Sequence, residues 1–182
     1  GDRPDLLQEL INQLTVNETY FLREDYQFDS MLRTVLPDVL AARGGVNRIV
    51  GPVKILSLPC STGEEPYSIA LRLLEDWPPI DRVDVEIHAG DIDSDVLERA
   101  RNGIYGSRSL QRVPKPTLTK YFVPLSAHRH QVDEPIRAAV TFHQMNICDT
   151  TAMRIFTDFD VIFCRNVLIY FDEISSRKAA EN

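Results

Sequence analysis

Two stretches near the start of the chain carry apolar residues at helical spacing. Residues 4–14 (PDLLQELINQL) place leucine and isoleucine side chains three and four positions apart, which predicts an amphipathic helix. A second stretch, Tyr26 to Arg43, repeats this pattern, and the pair Gly44-Gly45 is expected to end it. The segment between the two, TVNETYFLRED, alternates polar and aromatic residues, so we expect a turn-rich connection there.

From residue 51 onward, short apolar runs alternate with helical patterns. The strands are predicted in VKILSL, VDVEIHAG, AAVTFHQMN and FDVIFCRN. The helices are predicted over Tyr67–Asp76, from Asp93 or Ser94 as N-cap to Gly103, briefly within CDTTAMRIF, and from Asp172 onward. Strands that alternate with helices in this way are typical of an α/β fold with a parallel sheet and crossover helices.

The segment from Arg108 to Arg137 interrupts this alternation. It holds four prolines around the apolar cluster YFVPL, and it is longer than the usual connection between a helix and a strand. We therefore expect an inserted subdomain in this segment.

The last predicted strand, FDVIFC, is the most apolar of the four, and the sequence ends inside the helix that follows it. An apolar strand at an unprotected sheet edge promotes aggregation. We therefore expect the chain to be a fragment that lacks further strands.

Composition and charge narrow the class of protein. The 182 residues are 43% apolar, and they contain no apolar run of about 18 residues, the length that spans a bilayer. Lys and Arg number 20 against 27 Asp and Glu, a net charge of −7, which argues against nucleic acid or an anionic membrane as the main partner. Three cysteines without paired spacing suit a reducing compartment. We therefore expect a globular, cytoplasmic protein with no membrane insertion.

The turn after the first predicted strand, LSLPCSTGEEP, is the most informative place for chemistry. Ligands of open parallel sheets bind beyond the carboxyl ends of the strands, and the small residues here let a ligand approach the backbone. Glu64 and Glu65 either cap the following helix or face a ligand. Two acids disfavour a phosphate at this place and favour a cationic ligand with hydroxyl groups. The sequence also lacks the GxGxxG pattern, which argues against a dinucleotide.

Polar residues follow the other predicted strands as well. Asp91 stands where parallel-sheet domains place an acid on ribose hydroxyls, although an acid there can also cap a helix. In the pair Asn146-Ile147, the asparagine can hydrogen-bond a flat polar base or cap the turn. The fourth strand ends in Cys164-Arg165. Polar residues at four successive strand ends together indicate a binding site.

The four histidines show no metal-ligand spacing with one another or with the cysteines. We expect them to be surface or hydrogen-bonded strand side chains, and we expect no metal site.

Four long blocks of the sequence closely resemble the bacterial chemotaxis receptor methyltransferases: NETYFLRE, CSTGEEPYSIA, GDIDSDVLERARNGIY and FDVIFCRNVLIYFD. The resemblance covers residues 12–175. It implies a protein-glutamate O-methyltransferase that uses S-adenosylmethionine as donor and releases S-adenosylhomocysteine. The implied acceptors are glutamate side chains of chemoreceptors, which become glutamyl methyl esters.

The resemblance also implies a domain organisation. Residues 1–50 would form an N-terminal helical segment that carries the NETYFLR cofactor loop, with most of a preceding helical domain missing. Residues 51–182 would form a Rossmann-like methyltransferase domain that is incomplete at its C-terminal end. A small antiparallel β-subdomain would be inserted at about 121–140, so the chain is expected to be truncated at both ends.

The site residues implied by the resemblance come from the same blocks. The cofactor contacts would be Asn17, Thr19, Arg23, Glu65, Asp91, Asn146, Ile147, Cys164 and Arg165. Arg23 and Tyr170 would lie near the transferring methyl group as the catalytic residues.

Three functions are compatible with these residues. The first is methylation of the cytoplasmic domain of methyl-accepting chemoreceptors. The second is methylation of a receptor in another signalling system. The third is a catalytically silent cofactor-binding module that only docks to a receptor, and the presence of both Arg23 and Tyr170 argues against it.

Overall fold

The computed structural model describes residues 4–15 and 17–181 of the chain. Within them the strands, in chain order, are β1 (Val53–Ser57), β2 (Val85–Asp91), β3 (Ile104–Gly106), β4 (Phe122–Ser126), β5 (Arg129–Val132), β6 (Val140–Gln144) and β7 (Val161–Phe163).

The helices confirm most of the positions that the apolar spacing predicts. In chain order they are α1 (Pro4–Leu14), α2 (Tyr26–Ser30), α3 (Leu36–Ala42), α4 (Glu64–Asp76), α5 (Ser94–Asn102), α6 (Ser107–Leu110), α7 (Lys115–Tyr121), α8 (Glu134–Ala138), α9 (Thr150–Met153) and α10 (Glu173–Glu181). A π-helical turn, Met31–Val35, joins α2 to α3, and 3₁₀ turns occupy Pro78–Asp81 and Leu168–Tyr170. None of the helices in the described part of the chain is long and apolar enough to cross a membrane.

Four parallel strands form the central sheet in the order β6–β2–β1–β7. Ile55 of β1 aligns with Ile87 of β2 on one side and with Val161 of β7 on the other. Four of the five residues of β1 are buried, as expected of a central strand that is covered on both faces. The predicted α/β fold with a parallel sheet is therefore confirmed, and β7 lies at an edge of this sheet.

One apolar core joins α2, the π-helical turn and α3 to the sheet. Phe28 of α2 stacks on Phe163 of β7, with ring centroids 5.6 Å apart. Met31 and Leu36 are almost fully buried in the same core. Because burial of one such side chain stabilises a fold by about 1.5–3 kcal/mol, this packing fixes the segment before the sheet against the end of β7.

Helix α4 begins at Glu64 rather than at Tyr67, where the apolar pattern placed its start. Gly63 precedes it with a φ of 93°, the left-handed conformation that favours glycine. A Cβ at this position would lie 2.9 Å from the Cβ of Ala100. The tight turn places both Glu64 and Glu65 in the first turn of α4.

Helix α5 has the caps that the sequence predicted. The carboxylate of Asp93 accepts hydrogen bonds from the backbone N–H groups of Asp95 and Val96, so Asp93, and not Ser94, is the N-cap. Gly103 ends the helix with a φ of 62°. These caps fix the start of α5 directly beyond the end of β2.

The inserted segment forms a separate antiparallel sheet in the order β3–β5–β4. The first of its strands in the chain, β3, lies at 104–106, well before the range of about 121–140 that the resemblance implied. At the other end, residues 134–138 form α8, and Val140 already belongs to the central sheet. The ring of Tyr105 in β3 meets the ring of Tyr67 in α4 edge to face, with ring centroids 6.3 Å apart. This contact attaches the small sheet to α4.

Candidate active site

A cleft lies beyond the carboxyl ends of the four central strands and has two adjoining parts that share Pro59 and Tyr170. The first part is lined by Glu18, Thr19, Tyr20, Arg23, Phe28, Cys60, Ser61, Glu65, Arg165 and Asn166. The second part is lined by Leu14, Thr15, Asn17, Leu58, Asp91, Ile92, Met145, Asn146, Ile147, Cys148, Val167 and Phe171.

The structure brings nine of the ten predicted site residues to this cleft. The first part contains Thr19, Arg23, Glu65 and Arg165, the second contains Asn17, Asp91, Asn146 and Ile147, and Tyr170 lines both. The remaining one, Cys164, is exposed at the end of β7 and is not among the described residues that line the cleft. Its neighbour Arg165 is therefore the member of that pair that faces the site.

The two acids of the GEEP turn point in different directions. Glu65 lines the cleft, whereas Glu64 is 2% exposed and accepts hydrogen bonds from the hydroxyls of Thr62 and Ser109, each at 2.6 Å. Burial raises the pKa of the Glu64 carboxyl, and the two hydroxyl donors oppose that rise. Glu64 thus attaches the turn to the inserted segment, and only Glu65 is available to a ligand.

Glu65 and Arg165 form a buried ion pair at the base of the first part. Arg165 Nη1 donates to Glu65 Oε2 at 2.9 Å, and the hydroxyl of Ser57 donates to Glu65 Oε1 at 2.8 Å. Burial raises the pKa of the Glu65 carboxyl, while the positive charge of Arg165 opposes this effect. The guanidinium also lies over the Phe28 ring, 5.4 Å from its centre, a favourable cation–π distance.

Asp91 ends β2 and is 4% exposed. Its Oδ2 accepts the backbone N–H of Ser61 at 2.8 Å, and its Oδ1 accepts that of Asp93 at 3.1 Å. Burial raises the pKa of the Asp91 carboxyl, and these backbone donors oppose the rise. Each carboxylate oxygen has two lone pairs, so both retain acceptor capacity toward the cleft.

The NETYFLR segment covers one side of the cleft. Arg23 Nη1 donates to the carbonyl of Glu18 at 2.7 Å, and its guanidinium lies 5.9 Å from the centre of the Tyr20 ring. The neighbouring acids pair with other cations: Glu18 with Arg108, and Glu24 with Arg165. Arg23 also lines the first part of the cleft, where its positive charge opposes the rise in the pKa of Glu65.

Backbone strain is concentrated around the cleft. Leu22, Glu24, Ser61 and Asn166 all have positive φ angles between 47° and 57°, a conformation that costs a non-glycine residue of the order of 1–3 kcal/mol. Two of them, Ser61 and Asn166, line the first part. Such strain is typical of functional sites, where the surrounding structure holds a backbone that the sequence alone disfavours.

The ends of β6 and β7 complete the second part. Asn146 Oδ1 accepts the backbone N–H of Cys148 at 2.9 Å, so its side chain caps the turn and leaves its amide group for other contacts. Tyr170 belongs to the 3₁₀ turn after β7 and is 60% exposed, and its ring stands between the two parts of the cleft.

The histidines lie away from this cleft. His88 of β2 and His143 of β6 stack on neighbouring strands with their ring nitrogens 3.0 Å apart. His130 belongs to β5 of the small sheet, and His128 lies in the turn before that strand. Among residues 4–15 and 17–181, no group of three or more His, Cys, Asp or Glu could hold a metal ion.

Two residues at this site make contacts that were not predicted from the sequence. The backbone N–H of Ser61 ties Asp91 to the turn after β1, and Asp93 holds the NETYFLR segment as well as capping α5. No sequence pattern indicates the positive φ of Ser61. The cap position of Asp93, in contrast, was visible as an Asp before a helical pattern.

Comparisons with known proteins show the family to which the chain is similar. Residues 17–182 match the family described as CheR methyltransferase, SAM binding domain. Chemotaxis protein methyltransferase 2 of Vibrio cholerae is 47% identical over 176 residues, which cover 97% of this chain and 59% of that protein. The chemotaxis protein methyltransferase of Borreliella burgdorferi is 39% identical, with 92% of this chain and 58% of the relative covered.

A third relative has a different role in its name. The probable biofilm formation methyltransferase WspC of Pseudomonas aeruginosa is 34% identical over 98% of this chain and 40% of its own length. The chain thus spans about three fifths of the two chemotaxis relatives, 59% and 58%, and less of this one.

Proposed function

The chain belongs to the CheR methyltransferase family, and we propose that it methylates glutamate side chains of chemoreceptors to give glutamyl methyl esters. The matched domain is the S-adenosylmethionine-binding domain of that family, so S-adenosylmethionine is the cofactor. The observation that carries the proposal is the cleft beyond the central strands, which collects Arg23, Tyr170 and seven predicted cofactor contacts.

The second part of the cleft fits the adenosine end of this cofactor. Leu58, Met145 and Ile147 give it an apolar lining that suits a flat base. At its edge, Asp91 keeps acceptor capacity for hydroxyl donors such as those of a ribose. Asn146 adds an amide group for polar atoms of the base.

The first part of the cleft fits the charged amino-acid end. Glu65 places a carboxylate there that can hold a cationic ammonium group, and Thr19 adds a hydroxyl. The other acid of the turn, Glu64, is buried and does not line this part of the cleft. The Glu65 carboxylate and the Thr19 hydroxyl therefore suit a cationic ligand with hydroxyl groups.

The acceptor needs no general base. A glutamate side chain has a pKa of about 4.3 and is an anion at neutral pH. When bound, S-adenosylmethionine supplies a methyl group on a positively charged sulfur, which an ionised carboxylate oxygen can accept directly. The work left to the protein is to place the carboxylate and to exclude water from the opposed charges.

Arg23 and Tyr170 are placed for this work. The Arg23 guanidinium is planar and permanently charged, so it can hold one oxygen of the acceptor carboxylate while the other stays free to react. The Tyr170 ring stands where the two parts of the cleft meet and can cover the reacting atoms from water. Its hydroxyl can orient the acceptor.

Methyl transfer from labelled S-adenosylmethionine to purified cytoplasmic domains of chemoreceptors tests the proposal. We expect label on glutamate residues as a base-labile ester, and Arg23→Ala and Tyr170→Phe should each lower kcat by roughly 10²-fold, the order expected for lost positioning. Base-stable label, or label on residues other than glutamate, would contradict the proposed chemistry.

One relative favours a second candidate receptor. Because WspC carries a biofilm role in its name and matches 98% of this chain, a receptor of a surface-associated signalling system is the alternative acceptor. Receptors of both kinds in the same assay separate the two, since the preferred receptor should show the higher kcat/KM.

A further inference from the structure

Asp93 uses its two carboxylate oxygens for two different elements. It is 1% exposed and lies two residues after Asp91 at the end of β2. Its Oδ1 accepts the backbone N–H groups of Asp95 at 2.9 Å and Val96 at 3.2 Å, which caps α5. Its Oδ2 takes no part in that cap.

The second oxygen holds the segment that follows α1. Oδ2 of Asp93 accepts the hydroxyl of Thr15 at 2.5 Å and the side-chain amide of Asn17 at 3.1 Å. The same amide of Asn17 also donates to the Thr15 hydroxyl oxygen at 3.0 Å. Helix α1 is bound to the same place, since Gln8 Nε2 donates to the carbonyl of Ile92 at 2.9 Å.

These contacts determine which way the amide of Asn17 points. Its nitrogen faces acceptors on Asp93 and Thr15, so its oxygen must face the opposite side, where the Ser61 hydroxyl donates to it at 3.3 Å. Ser61 in turn donates its backbone N–H to Asp91. The Asn17 oxygen is thus presented beside Asp91 on the wall of the cleft.

We propose that Asp93 is a positioning residue for the cofactor site, acting through the hydrogen bonds of its Oδ2 to Thr15 and Asn17. It holds the start of the NETYFLR segment against the strand ends and presents the Asn17 oxygen as an acceptor. This proposal rests on the proposed function, because it assigns a role toward the S-adenosylmethionine site.

Asp93→Asn is the central test, because the side chain can keep an oxygen for the α5 cap while an NH₂ group replaces the acceptor Oδ2. We expect the dissociation constant of S-adenosylhomocysteine, measured by calorimetry, to rise at least tenfold. Asp149→Asn is the matched control, because Asp149 caps α9 in the same way, through the backbone N–H groups of Thr151 and Ala152. The dissociation constant of S-adenosylhomocysteine for this variant should stay within twofold of the native value.

A swap of donor and acceptor separates positioning from general stability. In the double variant Asp93→Asn, Asn17→Asp, the new amide can donate to the new carboxylate, and we expect it to bind at least threefold more tightly than Asp93→Asn alone. Thermal unfolding of the unliganded variants shows how much stability each has lost. A swap that recovers no affinity would overturn the proposal.

Thr15→Val keeps the test decisive if Asp93→Asn does not fold, because it removes one donor to Oδ2 and leaves the α5 cap intact. We expect it to weaken binding several-fold, and native affinity in this variant would contradict the positioning role. If the native protein itself binds no S-adenosylhomocysteine, the proposed function fails instead, so the two failures are distinguishable.

Discussion

Arg165 Nη1 lies 2.9 Å from Glu65 Oε2, and this ion pair joins the end of β7 to the first turn of α4 across the floor of the cleft. The other guanidinium nitrogen, Nη2, donates to the backbone carbonyl of Arg23 at 2.6 Å and to Glu24 at 3.2 Å. The side chains of Arg165 and Glu65 are 8% and 13% exposed. One buried cation thus fixes both the Glu65 carboxylate and the backbone of Arg23 at the cleft.

Replacement of Arg165 by methionine should therefore be costly. It leaves the Glu65 carboxylate buried without its partner, and breaking a buried pair in this way costs about 3–5 kcal/mol. We expect that loss in the free energy of unfolding by denaturant titration. Arg108→Met is the control, because it removes an ion pair with Glu18 in which the two side chains are 86% and 67% exposed. It should lower the free energy of unfolding by less than about 1 kcal/mol.

The loss in the free energy of unfolding caused by Arg165→Met should also depend on pH. Without the arginine, the pKa of the buried Glu65 rises further, so acid pH neutralises the unpaired carboxylate and restores part of the stability. A deficit that stays constant from about pH 7 down to about pH 5 would show that the loss comes from packing rather than from the stranded charge.

Glu64 gives a second stability prediction with a defined sign. Burial raises the pKa of its carboxyl above the ordinary value of 4.5. A carboxyl with a raised folded-state pKa contributes stability below its unfolded pKa, and that contribution is lost as the pH rises through the folded pKa. Glu64→Gln removes this ionisation, and its amide can still bond the hydroxyls of Thr62 and Ser109.

The melting temperature of Glu64→Gln, minus that of the native protein, should therefore increase as the pH is raised from about 4 to about 7. Glu98→Gln, on the exposed side of α5, is the control and should show a difference that is flat across this range. A difference for Glu64→Gln that falls with rising pH would mean that the ionised carboxylate is stabilised by its surroundings.

Much of the fold could be predicted because its signals are local. The strands VKILSL and VDVEIHAG and the caps at Asp93 and Gly103 depend on neighbouring residues, and the structure has them where the sequence placed them. The strand β3 was missed because its three residues, Ile104–Gly106, are too few to show a period. It forms by pairing with residues 129–131, about 25 positions later in the chain.

The site could be predicted only in part from its own residues. Local signals left Asp91 and Asn146 open between capping and binding, and the resemblance to a known family supplied most of the other positions. The contacts that arrange the site connect distant residues: Arg165 and Glu65 are 100 positions apart, and Asp93 and Thr15 are 78 apart. Such pairs depend on the strand order of the folded sheet, and no short-range pattern indicates them.

Asp91 gives a prediction for cofactor affinity. Asp91→Asn keeps the size of the side chain but replaces one acceptor oxygen by a donor, which strands a ribose hydroxyl or the backbone N–H of Ser61. We expect binding of S-adenosylhomocysteine to weaken by about 1–3 kcal/mol. Calorimetry measures this, with Asp95→Asn as the control, because it removes the same charge at an exposed position of α5. Unchanged affinity in Asp91→Asn would remove this residue from the site.

The last prediction concerns the pH dependence of methyl transfer. The acceptor carboxylate is ionised above about pH 5.5, more than one unit above its pKa of about 4.3, and no histidine lines the cleft in the described part of the chain. His88 and His143 bond each other on neighbouring strands instead, and burial lowers the pKa of His143. The rate should therefore stay level from about pH 6 to about pH 9, because no group with a pKa in that range has to gain or lose a proton. Each histidine variant should keep a rate near the native one: His88→Gln, His128→Gln, His130→Gln and His143→Gln. The reference is Arg23→Ala, which is expected to be roughly 10²-fold slower. A bell-shaped profile whose acid limb near pH 6.5 disappears in one of these histidine variants would identify that histidine as a base and overturn the base-free mechanism.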